Sequence, residues 1–169
     1  WTGVRNAALL AVLYRSGIRI AEALALYPKD LDLDKGMIRI LRGKGDRDRV
    51  VGIDGGGAAL LRVWLAERDR LNFLARDPVF CSRTGGPVSS AYVRRLLPAL
   101  AARAKILKRV HAHGLRHTHA AQLREEGVDI GIISKQLGHR SITTTARYLD
   151  HIAPFAVVEA VRARAWWKC

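Results

Sequence analysis

The sequence predicts a mainly α-helical domain with a small antiparallel β-sheet, an α+β class. Three observations predict it. Apolar residues recur at helical spacing along most of the chain, whereas MIRIL (37–41) alternates and RVVGI (49–53) reads as a strand. Glycine, proline, serine or aspartate punctuates nearly every change of pattern. At 169 residues the chain is long enough for one domain with a substantial core.

The elements follow in order. Residues 5–15 (RNAALLAVLYR) predict a helix with Leu9, Leu10, Val12 and Leu13 inward, ending near Gly17. Residues 18–27 predict a second helix, halted by Pro28. Asp34-Lys35-Gly36 is a turn signal, MIRIL alternates, GKGDRD is a second turn, and RVVGI closes a strand. This predicts a small antiparallel sheet with residues 43–48 at a hairpin tip. After the break at Gly55-Gly56-Gly57, a long helix runs to about Leu74, with Leu60, Leu61, Trp64, Leu65 and Leu71 on its buried side. Residues 79–88 read as loop with a short extended piece. Ser89 then caps a helix toward Ala104, with a disturbance at Pro98.

The last third is helical again. HGLRHTHAAQLREEG ends at Gly127. DIGIISKQLGH is capped by Asp129 and ends near Gly138, and Ser141 caps ITTTARYLD. Pro154 opens a tail helix striped by Val157, Val158 and Val161, with Trp166-Trp167 near its end. The expected division is residues 1–153 as the principal domain and 154–169 as a tail that docks in cis or in trans.

Charge narrows the partner. The chain carries 29 Lys+Arg against 15 Asp+Glu, a formal charge of +14. Residues 78–124 contain no acidic side chain but include Arg83, Arg94, Arg95, Arg103, Lys105, Lys108, Arg109, Arg116 and Arg124. A second basic cluster comprises Arg39, Arg42, Lys44, Arg47 and Arg49. Such an excess in a folded domain suits a polyanion, most commonly a phosphate backbone. Two cysteines, Cys81 and Cys169, exclude a disulfide scaffold. No stretch approaches the roughly 20 apolar residues of a membrane span, and no secretory signal pattern opens the chain, so a cytoplasmic location is expected.

Several polar groups resist explanation as packing. Arg19 and Glu22 share a helix face. Lys44 sits between two glycines at the hairpin tip, within reach of a ligand. His113 and Arg116 lie three apart on one helix, His139 follows Gly138 at a helix end, and Tyr148 lies nine residues later. The histidines His111, His113, His117 and His119 raise the question of a metal. His117 and His119 point to nearly opposite sides of a helix, and no cysteine or acidic ligand is nearby, so no metal site is expected. His119 is placed on the core side by its spacing from Leu115 and Leu123.

Arg19 in SGIRIAEAL, Lys44 in GKGDRDR, His113 and Arg116 in HAHGLRHTHAAQL, His139 in LGHRS and Tyr148 in TTTARYL resemble, in order and setting, the active-site set of the tyrosine recombinase (phage integrase) family. The resemblance covers roughly residues 5 to 152. It implies the family's catalytic-domain fold and a DNA strand transferase (site-specific recombinase or integrase). Tyr148 would attack a DNA phosphodiester, forming a 3′-phosphotyrosyl link and releasing a 5′-hydroxyl. Arg19, Arg116 and His139 would hold the non-bridging oxygens, His113 would take the tyrosine proton, and Lys44 would protonate the leaving oxygen. Glu22 and His117 would support these groups without touching DNA.

Arg42, Arg47, Arg94, Arg95 and Arg103 are candidates for DNA backbone contact. The resemblance implies no cofactor. It implies duplex DNA as partner, a homo-tetramer on that DNA, accessory DNA-bending proteins, an N-terminal core-binding domain missing from this chain, and a nucleoid-associated setting in a bacterium, phage or mobile element. Two alternatives share features of the sequence. One is a type IB topoisomerase-like enzyme that relaxes DNA. The other is a non-enzymatic regulator using residues 127–149 as a helix-turn-helix.

Overall fold

A computed structural model describes residues 1–41 and 48–139, together with Ser141, Thr143, Thr145, Ala146 and Arg162. It is mainly helical with one small antiparallel sheet, the class expected. The helices are α1 (Thr2–Arg15), α2 (Ile20–Leu24), α3 (Gly55–Arg70), α4 (Ser90–Arg103), α5 (Ala112–Glu125) and α6 (Ile130–Leu137). A 3-10 turn at Pro28–Asp30 precedes the strands β1 (Leu31–Asp32), β2 (Met37–Ile40) and β3 (Arg49–Gly52).

The caps follow side-chain chemistry. Asp54 accepts from the Gly57 N–H at α3, Ser89 from Tyr92 at α4, and Asp129 from Gly131 and Ile132 at α6. Gly138 ends α6 with φ at 65° and ψ at 47°, a left-handed conformation that a Cβ disfavours. In the sheet Ile40 pairs with Arg49 and Ile38 with Val51, and β1 lies on the other side of β2, pairing Leu31 with Ile38.

The main core lies between α1, α3 and the sheet. Leu9, Val12, Leu13, Leu61, Trp64, Ile38, Val51 and Phe80 are all essentially inaccessible. The Trp64 indole N–H donates to the Val79 carbonyl at 2.7 Å, so even its polar atom is satisfied. A separate small cluster of Ala120, Ile133 and Leu137 joins α5 to α6. Polar cross-links tie that unit to the rest. The Gln136 side-chain amide donates to the Ser16 and Gly52 carbonyls and accepts from the Gly52 N–H.

Several expectations need correction. The second helix is only Ile20–Leu24, because the chain must extend at Leu26, whose carbonyl accepts from the Val79 N–H at 2.7 Å. Strand β1 was not anticipated, since two residues cannot show alternation. Helix α3 stops at Arg70, where the side chain of buried Arg68 donates to the Leu74, Asp77 and Pro78 carbonyls and folds the chain back. Leu60 is 44% exposed rather than inward. Pro98 lies inside α4 without ending it. The tail expected over 154–169 falls outside the described residues apart from Arg162. Among the described residues no helix is long and apolar enough to cross a membrane.

Candidate active site

Three segments far apart in sequence are drawn together by one buried guanidinium. Arg116 on α5 is only 4% exposed. Its Nη1 donates to the Gly17 carbonyl at 2.6 Å and its Nη2 to the Leu137 carbonyl at 2.5 Å. Gly17 stands two residues before Arg19, and Leu137 two residues before His139. Arg116 therefore fixes the backbone that delivers both side chains. Arg19 closes the ring from the other side, its Nη2 donating to the Gly138 carbonyl at 3.4 Å. Gly17 adopts φ of 65°, and a Cβ there would lie 2.5 Å from the His119 ring, so the turn leading to Arg19 requires glycine. His119 itself is buried against that turn, on the core side as its spacing predicts.

Glu22 lies one turn into α2. Its Oε2 accepts from the Arg19 backbone N–H at 2.8 Å, and its Oε1 from Arg19 Nη1 at 2.9 Å. Both carboxylate oxygens also accept from Arg49, at 3.0 and 2.9 Å. Burial works to raise the carboxyl pKa, but hydrogen bonds from Arg49 and the Arg19 backbone, with the Arg49 charge, overcome it and hold Glu22 at about 2. The sequence reading placed Arg49 only in a basic cluster suited to a polyanion, whereas the fold turns it onto Glu22. A usable signal was there: Arg49, Val51 and Ile53 share one face of an alternating strand, so the arginine stands on the inward side and requires a buried partner.

The histidines fall into two groups. The Nε2 atoms of His113 and His117 lie 3.0 Å apart, so a single proton bridges them when both rings are neutral. Burial lowers the pKa of each, helped by neighbouring histidine charge and by Arg116. His139 stands beyond α6 with Nδ1 2.8 Å from the hydroxyl of the fully buried Thr145. Burial, then the charges of Arg116, Arg19 and Arg49, push His139 down to about 4. His139 is therefore neutral at pH 7, a hydrogen-bond donor without a charge of its own.

Arg94, Arg95 and Arg103 are exposed on α4. Arg94 and Arg103 are nine residues apart, nearly opposite on a helix, with Arg95 between them around the circumference. Lys44, Tyr148, Arg42 and Arg47 lie outside the described residues. Among the described residues no group of three or more histidine, cysteine or acidic side chains is assembled for a metal.

Comparison with known proteins identifies the family and the fold. The profile of the Phage integrase family matches residues 2–153. The chain is 40% identical over 165 residues to tyrosine recombinase XerC of Xylella fastidiosa (strain M23), covering 96% of this chain and 55% of that protein. Thus it spans about half the length of the curated relatives it matches. Its fold superposes on the crystal structure of XerA recombinase with a TM-score of 0.86 at 31% identity, covering 98% of this chain and 60% of that one. It superposes on XerH site-specific recombinase bound to palindromic difH substrate with a TM-score of 0.77, also at 31% identity, covering 95% and 46% of the two chains.

Proposed function

The chain belongs to the phage integrase family, and from that premise we propose that it is the catalytic domain of a site-specific tyrosine recombinase, cutting and rejoining duplex DNA. The observation that carries the reading is the Arg116 anchor, which holds the backbone before Arg19 and the backbone before His139 on one buried guanidinium. In this reading Tyr148 Oη attacks the phosphorus, the bond from phosphorus to O5′ breaks, and a 3′-phosphotyrosyl diester forms. His113 accepts the phenolic proton, and Lys44 supplies one to the departing 5′-oxygen. A 5′-hydroxyl from another strand reverses the exchange. One phosphodiester replaces another of similar energy, so the step requires no nucleotide cofactor.

The residues suit the charges involved. Negative charge spreads over the non-bridging oxygens in the transition state, where preorganised cationic donors are most effective. Arg19 and Arg116 supply the two guanidiniums. When the Thr145 hydroxyl donates to His139 Nδ1, the ring proton resides on Nε2, from which it is offered to a phosphate oxygen. A free tyrosine has a pKa of about 10, so its ionisation depends on neighbouring cations and on a base. Low basicity keeps His113 unprotonated at neutral pH and able to accept.

Arg42, Arg47, Arg94, Arg95 and Arg103 contribute backbone contacts in this reading. A tetramer on DNA, accessory DNA-bending proteins, a core-binding domain outside this chain and a nucleoid-associated cytoplasmic setting belong to the same proposal. The helix-turn-helix alternative is disfavoured because it gives no task to Arg19, Arg116 and His139, which the Arg116 anchor holds together.

The test is covalent capture. The chain is incubated with a pool of nicked duplexes of randomised sequence, and protein–DNA adducts are resolved on a denaturing gel. An adduct that is lost in Tyr148→Phe is expected. No adduct at any duplex sequence overturns the reading.

A further inference from the structure

The Glu22 side chain is 10% exposed and, among the described residues, is paired with two guanidiniums of unequal exposure. Arg49 is 12% exposed and spends both terminal nitrogens on the carboxylate, whereas Arg19 is 44% exposed and also reaches the Gly138 carbonyl. The Arg49 guanidinium also rests on Gly138: a Cβ there would stand 2.6 Å from its Nε and 2.7 Å from its Cζ. Among the described residues that buried Nε has no hydrogen-bond partner, and the group is held by its two forward bonds and by packing. Arg49 thus joins the start of β3 to α2 and to the turn that precedes His139.

The charges decide what this contact does. Arg19 with Glu22 alone sums to zero, and a phosphate near that pair meets a carboxylate as well as a guanidinium. Adding Arg49 returns the trio to a net charge of +1. Because Arg49 lies inside, the surplus is displayed by the exposed Arg19. A direct DNA contact by Arg49 is disfavoured, since its charge is already paired with the Glu22 carboxylate, whereas the Arg116 bonds described above go to neutral carbonyls.

Resting on the recombinase reading above, we propose that Arg49 is a positioning residue for strand cleavage: it neutralises Glu22 from behind, so that Arg19 meets the scissile phosphate as an undiminished cation. It acts through Glu22 and Arg19, and touches no reacting atom.

The test uses this chain and a duplex recovered by covalent capture, in two chemical forms. One has a natural scissile phosphate. The other has a methylphosphonate, in which one non-bridging oxygen is replaced by methyl, so the ground state is neutral and needs less cationic stabilisation. Arg49→Gln is expected to slow adduct formation by about 10²-fold on the phosphate, comparable to loss of one oxyanion donor. On the methylphosphonate the loss should shrink to about threefold or less. The double variant E22Q/R49Q restores the net charge of +1 and should regain at least about tenfold over R49Q on the phosphate. It also removes the buried charge that could keep R49Q from folding.

An equal loss on both substrates, or a double variant no faster than R49Q, makes Arg49 merely structural and overturns the proposal. So does an R49Q that cleaves at the unsubstituted rate. Failure of the unsubstituted chain to form a Tyr148-dependent adduct overturns the recombinase reading, and this inference with it.

Discussion

The imidazole of His139 and the hydroxyl of Thr145 stand 2.8 Å apart, with Thr145 wholly inaccessible to solvent. The ring sits beside three guanidiniums and is half-withdrawn from water. Its pKa is accordingly lowered to about 4 from an ordinary 6.5. By NMR, the His139 ring should remain neutral until the pH approaches about 4. The sign for stability follows. The unfolded chain binds this proton more readily than the folded one, so stability is fully present above about pH 6.5 and declines as the pH falls toward 4. Inorganic vanadate bound among the same guanidiniums should raise the midpoint, because an anion offsets their charge.

Arg116→Lys preserves the charge but loses the fork. A single ammonium cannot satisfy the Gly17 and Leu137 carbonyls in the same geometry. Hydrogen bonds from charged groups contribute about 1.5–3 kcal/mol each, so a loss of roughly 2 kcal/mol is expected in urea unfolding. The cleavage rate should drop by about 10² or more, since both Arg19 and His139 lose their backbone reference. An unchanged unfolding midpoint would show that the carbonyl anchors are dispensable.

Glu22 should make the domain acid-sensitive at unusually low pH. Its folded pKa of about 2 lies below the ordinary 4.5, so its contribution is complete above about pH 4.5 and is lost as the pH falls through 2. In Glu22→Gln the slope of stability against pH in that window should flatten. At pH 7 the substitution leaves Arg49 without its anion, costing about 3 kcal/mol by analogy with broken buried pairs. Urea midpoints across pH 2 to 7 for both proteins provide the check.

Gly138→Ala carries two penalties. A left-handed alanine costs about 1–2 kcal/mol, and its methyl group must displace the Arg49 guanidinium from a position 2.6 Å away. The variant should lose about 2 kcal/mol in thermal or urea unfolding. If the strained backbone alone mattered, Gly127→Ala, at φ of 80° with no neighbour within 4 Å of an added Cβ, would cost as much. It should cost less.

Much of this arrangement was legible in the chain itself. Ser89, Asp54 and Asp129 act through local hydrogen bonds, so a single residue type at a boundary was enough to mark the caps at Ser89 and Asp129. Strands β2 and β3 were visible because one face is buried and the other is wet. What failed depended on distant partners. The C-terminal half of the predicted second helix is overridden by a backbone bond between Leu26 and Val79. Pro98 is accommodated within α4 while Val93, Leu97 and Ala101 remain buried. In the candidate site, Arg19, Glu22, His113, Arg116 and His139 were readable as residues in a motif. The role of Arg49 was not, because a buried arginine acquires meaning only from the carboxylate that folding places opposite it. Spacing likewise gave no hint that Arg116 would grip two main-chain carbonyls.

The small apolar cluster between α5 and α6 has a thermodynamic consequence. Among the described residues, Ala120, Ile133 and Leu137 form its fully buried centre, whereas the α1–α3 core is several times larger. Helix α6 is therefore fastened to the body chiefly by directional bonds from Gln136, Arg116 and Arg19. Such a fastening is geometrically exact when closed, yet inexpensive to release, since little oily surface becomes wetted. The segment bearing His139 should thus open as its own cooperative unit, with amide deuterium uptake ahead of the Leu9–Trp64 layer. A domain built this way keeps a rigid floor beneath a hinged edge that carries His139.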